Sequence, residues 1–194
     1  MSNKETEKLH IKNMVCPRCI ATVGDTLENL GFMVHKTELG TAVVSGKPDI
    51  SVQKIDEELQ KHGFELIRGK DQQLIEQIKA LLITYVQKLE ESEEVPKPSD
   101  YLTEKLHQNY STLSSSFSQS EEITLEKYLI HLKIERVKEL LSYNELTLSE
   151  IAYKLNYSST PHLSNQFKQI TGMSVTDFKK AKESFRKPLD GIEH

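Results

Sequence analysis

Two sets of residues carry types and spacing that could do chemistry. Cys16 and Cys19, the only cysteines of the chain, are separated by Pro17 and Arg18. Pro17 suits the first turn of a helix. The pair is therefore expected at a helix N-terminus, where backbone N–H groups and the helix dipole favour thiolate. Arg18 adds positive charge beside them. Two thiolates so close suit a soft ion of low coordination number, such as Cu(I), better than a closed four-ligand zinc site. A redox dithiol is a second reading, and an inherited fold whose thiols serve no site is a third. The other set is Ser158, Ser159, Thr160, His162, Asn165, Gln166 and Lys168. Hydroxyl, imidazole, amide and ammonium groups without an intervening acid can reach base edges and phosphates of DNA. A pair of ordinary solvent-facing helices in a bundle is the alternative.

The elements that must position the second set are two helices and a turn. Thr147 to Glu150 is a T-x-x-E capping box, which starts a helix at Thr147. Leu148, Ile151, Ala152 and Leu155 give that helix a buried face. Asn156 tolerates the left-handed conformation that ends a helix, and Tyr157 anchors the turn by packing inward. Thr160 reads as the next N-cap with Pro161 at the first helical position. Leu163, Phe167 and Ile170 are its buried residues. Gly172 ends it, and Ser174 to Asp177 caps another. This is a helix-turn-helix.

The run from Glu150 to Lys180 resembles the second helix-turn-helix of the AraC/XylS family of transcription regulators. The resemblance rests on Glu150, Ile151, Ala152, Tyr157, Phe167, Lys168, Thr171, Gly172, Ser174 and Phe178. Asn156 stands where that family usually has glycine. The family carries two such units joined by a long helix, and the segment from Glu126 to Leu141, with Thr124 as its cap, looks like the joining helix. Leu102, Leu106, Leu113 and Phe117 fall where the first unit's core should be. His107 and Glu122 replace its usual glycines. The first unit's expected reading helix, Ser111 to Ser120, has hydroxyls and an amide but no Lys or Arg. It is expected to add less electrostatic affinity than the second, or to act only as a support for the joining helix.

The elements that position the cysteines come first in the chain. Leu9 and Ile11 mark a strand. Ile20, Val23, Leu27 and Leu30 mark a helix ending near Gly31. Strands follow at Phe32–Leu39 and Thr41–Ser45, with Gly40 between. Val52, Ile55 and Leu59 mark a second helix, and Phe64–Ile67 a last strand. The order βαββαβ is the ferredoxin-like one. This segment resembles the heavy-metal-associated domain of copper chaperones and metal-transport ATPases, with Met14, Cys16 and Cys19 as its M-x-C-x-x-C motif. The resemblance implies that Cys16 and Cys19 are metal ligands, that Met14 packs beneath the loop, and that Phe64 covers the site. Asn13 stands where that family usually has glycine. His10 and His35 read as surface residues, and His107 and His131 as surface or partly packed ones.

Between the two lies a helix with apolar residues from Leu74 to Leu89 at helical spacing, of about five turns. Its stripe must bury against the C-terminal helices or against a second copy of itself in a homodimer. The following acidic and proline-containing stretch, Glu90 to Asp100, reads as a solvated loop.

Composition limits the function classes. The chain has 194 residues, 37% hydrophobic, with a formal net charge of −4. No apolar run approaches the length that spans a bilayer, and the polar start lacks a secretory stretch, so a cytoplasmic protein without membrane partners is expected. Basic residues collect late, at Lys168, Lys179, Lys180, Lys182, Arg186 and Lys187 against Asp177 and Glu183. No Ser-His-Asp order, glycine-rich phosphate loop or catalytic carboxylate pair is present, so no catalytic residues and no enzyme activity are expected.

The fold class expected is α+β: a ferredoxin-like βαββαβ domain at 1–70, a connector helix and linker at 71–100, an all-α AraC-type double helix-turn-helix domain at 101–187, and a tail at 188–194. The expected function is sequence-specific binding of double-stranded DNA as a transcription regulator, an activator, responsive to a soft metal. The competing class is a metal-trafficking or redox protein whose helical half docks a protein partner.

Overall fold

Apolar residues at every second position of the first and third strands place one face of a sheet in a core. A computed structural model describes residues 6–46, 50–92 and 94–180. Its contacts divide the chain into two units, Met1–Leu81 and Leu82–His194.

In the first unit, β1 (Thr6–Lys12), β2 (Met33–Glu38), β3 (Thr41–Ser45) and β4 (Glu65–Ile67) form one sheet in the order β2-β3-β1-β4. All three pairings are antiparallel. Leu9 and Ile11 of β1 and Ala42 and Val44 of β3 project from one face. They form a buried cluster with Val23 and Leu27 of α1 (Pro17–Asn29) and Ile55 and Leu59 of α2 (Val52–Gln60). The expected element order and β-strand positions are therefore present, and with them the α+β class. Ser51 caps α2 by accepting a hydrogen bond from the Lys54 N–H.

The helix expected between the halves is α3 (Lys70–Glu91), 22 residues long. The division between units falls inside it. In the first unit, Gln77 Nε2 lies 3.3 Å from His10 Nδ1. A Cβ built on Gly40 would sit 3.5 Å from the Ala80 methyl. His10, expected at the surface, is thus partly packed under α3. Burial first, then the charge of Lys8, holds its imidazole below the ordinary histidine range. The expectation that α3 buries its stripe against the C-terminal helices or a second copy was incomplete. It did not foresee the contacts of Gln77 with His10 and of Ala80 with Gly40.

The second unit contains the end of α3 and six helices among the described residues: α4 (Pro98–Leu106), α5 (Tyr110–Glu121), α6 (Leu125–Tyr143), α7 (Leu148–Lys154), α8 (Thr160–Thr171) and α9 (Val175–Lys180). Pro98 to Asp100, read from sequence as loop, are the first turn of α4. Proline costs nothing there, and Asp100 favours the positive helix end. Leu102, Leu113 and Phe117 are buried, and Phe117 packs on Tyr128 with ring centroids 5.3 Å apart. Leu106 is only half-buried. Thr124 caps α6 through the Lys127 N–H, and left-handed Asn144 ends it.

Candidate nucleic-acid interface

Two helix-turn-helix units flank α6. In the first, α4 ends on His107 and α5 on Glu122, with φ 52° and 58°. Both occupy the left-handed region without being glycine. In the second, Asn156 has φ 52° in the turn and Gly172 has φ 78° at the end of α8. Thr147 and Glu150 complete a reciprocal capping box at the start of α7. The carboxyl of Glu150 accepts from the Thr147 hydroxyl and N–H, and these bonds hold it below the usual carboxylate range.

The core of the second unit is Ile151, Ala152 and Leu155 of α7 and the turn with Leu163 and Phe167 of α8, all buried. Phe178 of α9 meets Phe167 edge-on at 5.5 Å. Ile170 is half-buried. With that side of α8 committed inward, His162, Asn165 and Lys168 are exposed and Gln166 is half-buried.

The three hydroxyls before α8 each have a local partner. Ser159, not Thr160, is the N-cap: its Oγ accepts from the His162 N–H at 3.2 Å. Thr160 opens the helix and donates to Ser149 Oγ at 3.2 Å. Pro161 is then second in the helix, where its missing N–H is equally harmless. Ser158 Oγ lies 2.9 Å from His162 Nδ1.

Tyr157 sits beneath this turn, buried as expected from sequence. Lys133 of α6 places its ammonium 5.0 Å from the centre of the Tyr157 ring, and His162 meets that ring edge-on at 5.4 Å. Burial pushes the Lys133 amine down to about 8. Burial also pushes the Tyr157 phenol up, and its Oη has no hydrogen-bond partner among the described residues. Sequence reasoning missed Lys133, because nothing local marks a lysine on α6 as a neighbour of the turn at Tyr157.

α5 presents Ser111, Thr112, Ser115 and Gln119 as exposed residues. No Lys or Arg lies between Lys105 and Lys127. Of the late basic group, Lys182, Arg186 and Lys187, together with Glu183 and the 188–194 tail, lie outside the described residues.

In the first unit of the fold, Cys16 and Cys19 are brought together at the start of α1, both half-buried and free, with Sγ atoms 3.2 Å apart. Cys16 is the N-cap. Burial works against its thiolate. Hydrogen bonds from the Cys19 thiol and from the Cys19 and Arg18 N–H groups outweigh that, with help from the Arg18 charge, and lower it overall. Cys19 is raised, by burial first. Met14 is buried, as is Phe64, which joins the core cluster. Asn13 takes the left-handed conformation with φ 70°, and its amide donates to the Gly63 carbonyl at 3.0 Å. No group of three or more His, Cys, Asp or Glu suited to a metal occurs among the described residues.

Comparison with known proteins bears on the helical half. Residues 102–181 match the model of a family described as "Helix-turn-helix domain". The HTH-type transcriptional activator RhaS of Escherichia coli O139:H28 is 26% identical over 86 residues, 44% of this chain and 31% of that protein. The protein of the same name from Escherichia coli strain SE11 is similar to the same degree. The chain thus spans about a third of the length of these curated relatives. Among solved structures, the C-terminal domain of AraT, a response regulator from Geobacillus stearothermophilus, matches with 23% identity and a TM-score of 0.45, over 55% of this chain and 84% of that one. A DNA-binding transcriptional dual regulator from Escherichia coli K-12 matches with 16% identity and a TM-score of 0.44, over 53% and 89%.

Proposed function

We propose that the chain, whose residues 102–181 carry a helix-turn-helix domain, is a transcription regulator of the AraC/XylS type that binds double-stranded DNA sequence-specifically. The observation that carries this reading is the exposed side of α8. It offers His162, Asn165 and, half-exposed, Gln166, with Lys168 one turn on. Inserted in a major groove, the first three would face base edges and Lys168 a phosphate. Ser159 and Thr160 would set the register of α8, since one caps the helix and the other ties it to α7. The hydroxyl-lined α5 would lie in the next groove and contact phosphates and bases without charge. The relatives are transcriptional activators, which supports activation as the sign of regulation.

Selection of bound sites from a random-sequence DNA pool, followed by gel shift at fixed salt, tests this reading. A recurrent site bound at least about a thousandfold more tightly than random DNA is expected of a specific reader. Indifference to all DNA would overturn it and favour the competing class, a metal-trafficking or redox protein that docks a protein partner through its helices.

The thiol pair supports a second element of the proposal, response to a soft metal. Cys16 and Cys19 offer two sulfurs at a helix N-terminus, half-exposed and beside Arg18. That donor set fits a soft ion of low coordination, with the two cysteines as its holders. Ligands on one ion at about 2.3 Å each stand farther apart than these sulfurs, so the pair would part by roughly half an ångström or more. Such an ion would supply a charge change at the start of α1. Titration with Cu(I) should then change DNA affinity. An unchanged affinity and an unchanged thermal midpoint would remove the metal from the account. Assembly as a homodimer is a further proposal, to be read by sedimentation with and without DNA.

A further inference from the structure

Ser158 was expected to contact a phosphate or to set the register of the reading helix, and its Oγ is 2.9 Å from His162 Nδ1. The ring of His162 is held on a second side by the edge-on contact with Tyr157. Tyr157 is fixed in turn by burial and by Lys133 over its face. The imidazole therefore has one nitrogen engaged by Ser158, while the residue itself is exposed in the first turn of α8.

A neutral imidazole has one donor and one acceptor nitrogen, and the partner of one fixes the role of the other. A serine hydroxyl rotates to suit and either donates or accepts. Free imidazole side chains favour the tautomer with hydrogen on Nε2, which leaves Nδ1 to accept from the serine. The other nitrogen, Nε2, is then a donor. In the major groove, guanine offers two acceptors, O6 and N7, where cytosine offers an amine and adenine offers an amine beside its N7.

We infer that Ser158 is a positioning residue. It donates to His162 Nδ1 and fixes the Nε2–H tautomer, so that α8 presents a donor that selects an acceptor edge, guanine first. This rests on the proposal that α8 reads DNA. It adds what that proposal leaves open, the chemistry of one base position.

Two measurements on the full chain test it. Nitrogen-15 spectra of the histidine rings in the DNA-free protein, at a pH where His162 is neutral, read the tautomer directly. Nδ1 of His162 should appear as an unprotonated, hydrogen-bonded nitrogen. Ser158→Ala should shift it toward the tautomer average, and Ser158→Thr should restore it. In binding, Ser158→Ala should weaken the selected site by about 3- to 10-fold, the worth of one net hydrogen bond. The loss should disappear on DNA changed at the base pair where His162→Ala also loses its preference. The two substitutions together should cost no more than His162→Ala alone.

A proton found on Nδ1 would overturn the inference. An equal loss on every DNA sequence would do so as well, since it marks Ser158 as a phosphate contact. A wild-type protein that binds no DNA while showing the expected tautomer would sink the DNA reading and leave the ring geometry standing.

Discussion

Arg136 of α6 grips Glu90 at the end of α3 with two prongs, Nε to Oε1 at 2.5 Å and Nη2 to Oε2 at 2.8 Å. Its Nη1 also reaches Glu139 at 2.7 Å. The side chains are 29%, 13% and 18% exposed, so water screens this network only partly. Arg136→Ala would leave two carboxylates adjacent without their shared cation. A loss of about 2–3 kcal/mol in unfolding free energy is expected, from charge-assisted hydrogen bonds of this kind. Urea denaturation of the full chain would show it, with a smaller loss for Glu90→Gln, which keeps an acceptor.

Lys133 makes stability depend on pH. The unfolded chain holds this proton to about pH 10.4, whereas burial lowers the folded amine to about 8. Between these values the unfolded state binds more protons, so stability rises with pH. Below about pH 8 both states are protonated and the full cost is present. That cost is a few kcal/mol by linkage, and the contact with Tyr157 offsets only about 0.5–2 of it. Lys133→Met should therefore stabilise the protein at pH 7. The difference from wild type should shrink as pH is raised from 8 to 10 in denaturation experiments.

Glu122 ends α5 with φ 58°. A left-handed non-glycine residue costs roughly 1–2 kcal/mol, and glycine returns part of the gain through unfolded-state entropy, about 0.4–1 kcal/mol. Glu122→Gly should raise the thermal midpoint, by roughly 0.5–1 kcal/mol of stability. Asn156→Gly should be nearly neutral, because asparagine already tolerates that conformation.

DNA contacts of two kinds should separate by salt. Asn165→Ala and Gln166→Ala should each cost about 1–3 kcal/mol on the selected site and little on random DNA. Lys168→Ala should weaken all sequences alike and reduce the slope of log affinity against log salt by about 1. A Gln166→Ala loss common to all sequences would reassign that amide to the backbone.

Much of this architecture could be read in the residues, for reasons that are local. Thr124 and Thr147 marked helix starts because a hydroxyl must satisfy N–H groups the helix leaves open. Asn13, His107 and Glu122 were noticed only because the families that the sequence resembles usually have glycine there, and Asn156 also because asparagine tolerates the end of a helix. All four have positive φ, so the backbone keeps a shape that these side chains merely tolerate. The start of α8 was misplaced by one residue, since adjacent hydroxyls compete as caps and proline suits either of the first two positions. The arrangement of Lys133, Tyr157, His162 and Ser158 was not legible. It depends on how α6 packs against a turn far along the chain, and no spacing rule encodes that. Nor did sequence reveal that α3 would pack on His10 and Gly40, because an apolar stripe names no partner.

The absence of Lys and Arg between Lys105 and Lys127 has a consequence for the proposed regulator in the cell. Contacts made by hydroxyls and amides displace no counterions, so ionic strength hardly touches them, while those of Lys168 and its neighbours fade as salt rises. The two halves of an operator would then change relative weight with ionic strength. Under high potassium, discrimination would shift toward the half that α5 faces, and sites ranked in dilute buffer would be reordered.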